Sequence, residues 1–84
     1  MRDFSLRFLT RAGCHLCDEA RPIVASAAAR NGLRVVEIDI DADDRLLAEY
    51  GLRIPVILGP DGQVLAEGPI TEGRALRRAL RPLR

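Results

Sequence analysis

The two cysteines of the chain, Cys14 and Cys17, are the residues whose type and spacing are best suited to chemistry. Thiols at this spacing can interconvert between dithiol and disulfide with little backbone motion, provided their Cα atoms lie within about 7 Å. An apolar run, Phe4 to Leu9, precedes them, and a helix-like stretch, Ala20 to Arg30, follows. Because a helix start carries free N–H groups and partial positive charge, it favours a thiolate. The pattern therefore predicts a redox-active dithiol.

The hydrophobic pattern around the cysteines predicts the element order βαβαββα. We expect strands over residues 4–9, 33–40, 56–58 and 63–66, and helices over residues 15–30, 43–50 and 72–81. The first two strands, joined by a helix, should be parallel with a right-handed crossover, and the last two should form a hairpin. The predicted fold class is α/β, with a four-stranded mixed sheet flanked by helices.

The predicted core is aliphatic, because only 4% of the chain is aromatic. Asp43 and Thr71 are the expected N-caps of the second and third helices, while Asn31-Gly32 and Gly51 are the expected ends of the first two. Pro22 lies inside the first helix and should kink it. The residues expected to point inward from the first helix, the second strand and the last helix are Ala20, Ile23, Val24, Ala27, Ala28, Val35, Val36, Ile38, Ile40, Leu76, Ala79 and Leu80.

Length and charge limit the possible partners. The 84 residues, 1–84, are expected to form a single domain, and we expect a monomer. The net charge of +1 creates no global field toward nucleic acid or membrane, and no aromatic residues lie between the C-terminal arginines for base stacking. Since neither a signal-peptide pattern nor a long apolar span is present, the expected location is the cytoplasm.

Three features together resemble the thioredoxin–glutaredoxin superfamily over nearly the whole chain. They are Cys14-His15-Leu16-Cys17 after a strand, Pro22 five residues later, and Tyr50-Gly51-Leu52-Arg53-Ile54-Pro55-Val56. The Cys-His-Leu-Cys run is similar to that of small bacterial glutaredoxin-like proteins. The resemblance implies a cis Ile54–Pro55 peptide bond against the cysteines, and an exposed Ile54 backbone that pairs with an extended substrate.

The function implied by the resemblance is that of an enzyme, a thiol-disulfide oxidoreductase that reduces protein or glutathione mixed disulfides. Cys14, exposed at the helix start, would be the nucleophile, and the more buried Cys17 would resolve the mixed disulfide. No bound cofactor is expected. Glutathione or a reductase would supply the electrons.

Three basic residues are candidate substrate contacts, each with a simpler alternative. Protonated, His15 would favour the Cys14 thiolate, whereas neutral and exposed it would only occupy a turn. Arg11 would add positive potential near the cysteines, or it would be only a solvated surface residue. Arg53 would contact an anionic group of the substrate or be a solvated loop residue.

The chain differs from its apparent relatives in two respects. Residues 67–72 contain one glycine and no aspartate, where glutathione-binding glutaredoxins usually have Gly-Gly followed by Asp. Phe8 stands where thioredoxins are expected to have a buried aspartate, so the proton of Cys17 would need another acceptor, such as water or the substrate.

Two other functions fit the sequence. Cys14 and Cys17 could bind a metal ion or an iron–sulfur cluster, but only with further ligands from a second chain or from glutathione. A non-catalytic module could instead recruit a partner through Ile54-Pro55. Residues 39–44 look like the start of a calcium loop but lack its glycine and its final glutamate, so no metal site is predicted.

Overall fold

The helices and strands follow the predicted order βαβαββα. The computed structural model describes residues 5–83 of the protein. Within this range the strands are β1 (Ser5–Thr10), β2 (Arg34–Asp39), β3 (Val56–Leu58) and β4 (Val64–Glu67), and the α-helices are α1 (His15–Arg30), α2 (Asp44–Tyr50) and α3 (Gly73–Leu80). Short 3₁₀ turns cover Ile40–Ala42 and Arg81–Leu83. Phe4, predicted to begin the first strand, lies outside the described residues.

The four strands form one mixed sheet in the order β2-β1-β3-β4. β1 is parallel to β2, with Thr10 opposite Asp39. β3 is antiparallel to both of its neighbours, with Val56 opposite Leu9 of β1 and Glu67 of β4. The last residues of β1, β2 and β4 and the first residue of β3 therefore share one edge of the sheet. We call this edge the cysteine end, because the loop after Thr10 leads to Cys14.

Helices cover both faces of the sheet, as predicted. α1 and α3 pack on one face, where Leu6, Phe8 and Ile57 are buried beneath them. α2 packs on the other face, over a smaller cluster that includes Leu9 and Val56. Because side chains alternate along a strand, β1 supplies Phe8 to one core and Leu9 to the other.

The predicted start of α2 and the predicted ends of α1 and α2 are confirmed, and at the end of α2 the Gly51 N–H donates to the Leu47 carbonyl at 2.9 Å. The Asp43 carboxylate accepts bonds from the backbone N–H groups of Arg45 and Leu46 at the start of α2. α1 ends at Arg30, and Gly32 follows with φ +67°, a conformation that favours glycine.

The predicted cap at Thr71 is wrong. Glu72 is the N-cap residue of α3, and its side chain makes no capping bond. Because α3 begins at Gly73, Thr71 lies one residue before the position from which a side chain caps the first turn.

Two residues predicted to be buried are exposed. Val36 is 47% exposed, and Arg7, its neighbour across the β1–β2 ladder, is exposed as well, because the short α2 covers only the cysteine end of that face. Ala79 is also exposed, whereas Leu76 and Leu80, four residues apart on α3, face the core.

No helix among residues 5–83 is long and apolar enough to cross a membrane.

Replacing Leu80, which is fully buried, should test the packing of α3 on the sheet. Leu80→Ala removes buried methyl groups and leaves a cavity, so we expect a loss of about 2–5 kcal/mol in the free energy of unfolding. Urea titration of the oxidised protein measures this. Val36→Thr keeps a β-branched side chain at an exposed position and should stay within about 0.5 kcal/mol of wild type. A comparable loss in both variants would contradict this description of the core.

Candidate active site

The two cysteines lie at the first turn of α1 and differ strongly in exposure. Cys14 is the N-cap residue and is half-buried, whereas Cys17 is completely buried. Their sulfurs form a disulfide, with the Cα atoms 5.2 Å apart. The backbone N–H of Cys17 donates to Cys14 Sγ at 3.1 Å. Gly13, with φ +77°, turns the chain from β1 into this helix start.

The segment that contains Pro55 is brought to the same place by the pairing of β3. Pro55 is buried, the Ile54–Pro55 peptide bond is cis, and the next residue, Val56, lies opposite Leu9 near the end of β1. The Gly68 N–H donates to the carbonyl of Pro55 at 2.9 Å and to that of Arg53 at 3.2 Å. The cysteine loop, the proline segment and the end of β4 therefore meet at the cysteine end.

The Ile54 backbone is less available than the resemblance implied. Its N–H donates to the Tyr50 carbonyl at 3.2 Å, and its side chain packs against the core under α2. The turn after α2 already uses this N–H group, and the predicted pairing of the Ile54 backbone with a substrate stays a prediction.

The basic residues predicted beside the cysteines both have carboxylate partners. Arg11 Nε lies 2.8 Å from Asp41 Oδ1, in the turn that follows β2. His15 is 84% exposed, and its Nε2 lies 3.0 Å from Glu19 Oε1, one helical turn further along α1. Each side chain is therefore held by an acidic neighbour at the protein surface.

Arg53 is held by three groups. Its Nε lies 2.7 Å from Glu67 Oε2, one of its terminal nitrogens lies 3.4 Å from Glu49 Oε1, and its guanidinium lies 4.9 Å from the centre of the Tyr50 ring. The hydrogen bond to Glu67 is the largest cause of a raised pKa of Arg53. These contacts keep the guanidinium beside β4, and the role predicted for Arg53 in substrate binding stays a prediction.

A further network beside the cysteines was not predicted. Arg21 binds both oxygens of Glu37 on β2, at 2.9 and 2.8 Å, and also Asp18 at 2.9 Å. The buried Thr10 hydroxyl donates to Glu37 at 3.0 Å. This Arg21–Glu37 clamp ties the start of α1 to an edge strand. Only its Asp18–Arg21 part, at helical spacing, was visible in the sequence, since Glu37 reaches Arg21 through the fold.

The clamp shifts the ionisation of both its members. The hydrogen bond from Arg21 lowers the pKa of Glu37, and the bond from Thr10 lowers it further, against partial burial that raises it. The same contact with Glu37, followed by that with Asp18, raises the pKa of Arg21. Both groups are thus charged at neutral pH.

The aspartates near the end of β2 have structural partners. Asp39 accepts a hydrogen bond from the Asp41 N–H, and Asp43 caps α2. Among residues 5–83, no group of three or more His, Cys, Asp and Glu side chains is placed to hold a metal ion.

Comparison with solved structures identifies the class of fold. A structural genomics target protein from X. campestris is 37% identical over 87% of this chain and 91% of its own, with a TM-score of 0.71. A mutant thioredoxin from Halobacterium salinarum NRC-1 is 25% identical over 96% of this chain and 74% of its own, with a TM-score of 0.71. A protein from Nitrosomonas europaea shares the fold at 22% identity, 90% and 89% coverage and a TM-score of 0.71. The predicted thioredoxin-like fold is confirmed.

The sequence also matches a defined family. The family described as Glutaredoxin-like domain (DUF836) matches residues 5–80, which is nearly the whole chain. The chain therefore belongs to the glutaredoxin-like domain family, and the resemblance noted in its sequence is confirmed. The comparison with curated proteins gave no match.

The Arg21–Glu37 clamp should appear in the pH dependence of stability. Because the folded-state pKa of Glu37 is lowered, its contribution is fully present above the ordinary glutamate value of about 4.3 and is lost as pH falls through the folded-state pKa. We expect Glu37→Gln to lose less stability than wild type between about pH 6 and pH 3. Urea unfolding at a series of pH values measures this.

The matched control for this measurement is Asp61→Asn. It removes a carboxylate from the hairpin turn at the opposite end of the sheet, away from Arg21, and should keep the wild-type pH dependence. Parallel curves for wild type and Glu37→Gln would show that the ionisation of Glu37 contributes nothing to the pH dependence of stability.

Proposed function

We propose that the protein is a thiol-disulfide oxidoreductase that reduces protein or glutathione mixed disulfides through Cys14 and Cys17. The observation that carries the proposal is the arrangement of the two sulfurs. One belongs to a half-buried residue at a helix start, and the other belongs to a fully buried residue one turn further on. Because only Cys14 is accessible, the two cysteines have different roles.

In the first step, the Cys14 thiolate of the reduced protein attacks one sulfur of the substrate disulfide. The substrate S–S bond breaks, one substrate thiolate leaves and takes up a proton, and Cys14 is joined to the other half. Cys17 then loses its proton and attacks Cys14 Sγ. The mixed disulfide breaks, the second substrate thiol is released, and the Cys14–Cys17 disulfide forms. The substrate gains two electrons and two protons.

The helix start favours the first step. Cys14 Sγ is the acceptor of the Cys17 N–H, and the free amides of the first turn add partial positive charge around it. A charged acceptor strengthens such a hydrogen bond, so the same contact stabilises the thiolate more than the thiol. The adjacent Pro55 segment is the proposed docking edge for the substrate, with the Ile54 carbonyl rather than its N–H as the contact.

Return to the dithiol requires an external thiol donor, either glutathione or the dithiol of a reductase. No bound cofactor is needed, because the two sulfurs carry the electrons themselves. We further propose that the protein acts as a monomer in the cytoplasm, where such donors keep thiols reduced.

Single cysteine variants test this assignment. We expect Cys14→Ser to abolish reduction of a mixed disulfide, since the accessible nucleophile is lost. Cys17→Ser should still attack but should not resolve, so a covalent adduct accumulates at Cys14. Loss of the reporter disulfide and intact-protein mass spectrometry measure the two outcomes.

The two serine variants also control for each other, because each makes the same conservative change of sulfur to oxygen at one of the two positions. Equal rates for wild type and Cys14→Ser would refute the proposal. An adduct on Cys17 in the Cys14→Ser protein would show that the two roles are reversed.

A further inference from the structure

The cysteine end of the protein is net negative, although the chain as a whole is not. The net charge of the sequence is +1, yet residues 10–21 and 39–53 together with Glu67 contain eight carboxylates and only four arginines. The strand register places the ends of β1, β2 and β4 and the start of β3 at this edge. A substrate that approaches the sulfurs therefore meets a net negative surface.

Three of the four arginines at this end, together with His15, offset that field little for a ligand, because each is already paired with a carboxylate. Arg11 is bound to Asp41, His15 to Glu19, and Arg21 to Glu37 and Asp18. An anionic group of a ligand would have to share each of these cations with a carboxylate that the fold already holds beside it.

Arg53 shows this most clearly, since it precedes the proline segment. Glu67 is placed by its pairing with Val56, and Gly68 bonds to the carbonyls on either side of Ile54. Glu49 approaches the same guanidinium from α2. An anion at this position would lie beside both Glu67 and Glu49.

Apolar surface lies in the same two segments. Leu52 is fully exposed in the turn before Arg53, and Leu16 is exposed between the two cysteines. Exposed leucines at the cysteine end suit contact with a polypeptide more than with a small, highly charged thiol.

We propose, on the basis of the proposed function, that the preferred substrate is a protein disulfide flanked by basic residues. Glutathione carries two carboxylates and one ammonium group, hence a net negative charge at neutral pH, and is disfavoured at this site. A basic polypeptide is steered toward the acidic cysteine end, and its apolar residues can cover Leu16 and Leu52.

The test uses three disulfide peptides of the same length that differ only in the residues flanking the cystine, which are lysine, glutamine or glutamate. A glutathionylated version of the glutamine peptide is the fourth substrate. The rate of oxidation of the reduced protein is measured by acid quench and mass spectrometry. Each rate is divided by that of dithiothreitol with the same peptide, which removes the intrinsic reactivity of the peptide.

We expect the normalised rate for the lysine peptide to exceed that for the glutamate peptide by about tenfold at low salt. The ratio should approach one at about 1 M salt, where the screening length is about 3 Å. The glutathionylated peptide should react more slowly than the glutamine peptide.

Two variants with the same change in charge show which part of the surface causes the difference in rate between the peptides. Glu67→Gln releases one partner of Arg53, so it should lower the lysine-to-glutamate ratio about threefold and accelerate the glutathionylated peptide. Asp61→Asn removes a carboxylate at the far hairpin turn and should leave both values unchanged.

The possible results separate this inference from the proposed function. Comparable normalised rates for all peptides, or a preference for the glutamate or glutathionylated peptide, would overturn the inference while leaving the oxidoreductase intact. Equal effects of Glu67→Gln and Asp61→Asn would overturn the role of the Glu67–Arg53 pair. Absence of reaction with every substrate, including the glutamine peptide, would overturn both.

Discussion

The antiparallel pairing of β3 with β1 is the contact on which the geometry of the site depends. Leu9 and Val56 lie opposite each other, and both are completely buried. Since Pro55 immediately precedes Val56 and the cysteine loop immediately follows Thr10, this one register brings the proline segment to the sulfurs. A slip by one residue would turn Val56 toward the opposite face of the sheet, so core packing and site geometry are enforced together.

The start of α1 is held in place by contacts that do not involve sulfur. The Arg21–Glu37 clamp joins the helix to β2 through two parallel hydrogen bonds, and the Thr10 hydroxyl joins the same carboxylate to the end of β1. Surface ion pairs are individually weak, but a bidentate arginine–carboxylate pair fixes geometry better than a single contact. The helix start therefore has support that does not depend on whether Cys14 and Cys17 are bonded.

The sequence was most informative where one local feature decides the outcome. α1 runs from His15 to Arg30 and β3 from Val56 to Leu58 as predicted, because glycines, prolines and a regular apolar spacing mark these segments. It was least informative where a distant element decides. Val36 is exposed because α2 ends short of it, and the Arg53–Glu67 and Arg21–Glu37 pairs join residues 14 and 16 positions apart. The bond from the Ile54 N–H to Tyr50 depends on the turn that follows α2.

The same pairs change what the basic residues near the cysteines imply. Counted along the chain, Arg11, His15 and Arg53 suggest a positive surface, but in the fold each is matched by a carboxylate. Salt screens such exposed charges over about 8 Å at physiological ionic strength, and each carboxylate partner offsets part of the field of its cation. The amide of Cys17, 3.1 Å from Cys14 Sγ, acts directly. In the proposed mechanism, the helix start therefore supports the Cys14 thiolate, whereas the proposed preference for basic substrates depends on the acidic surface around it.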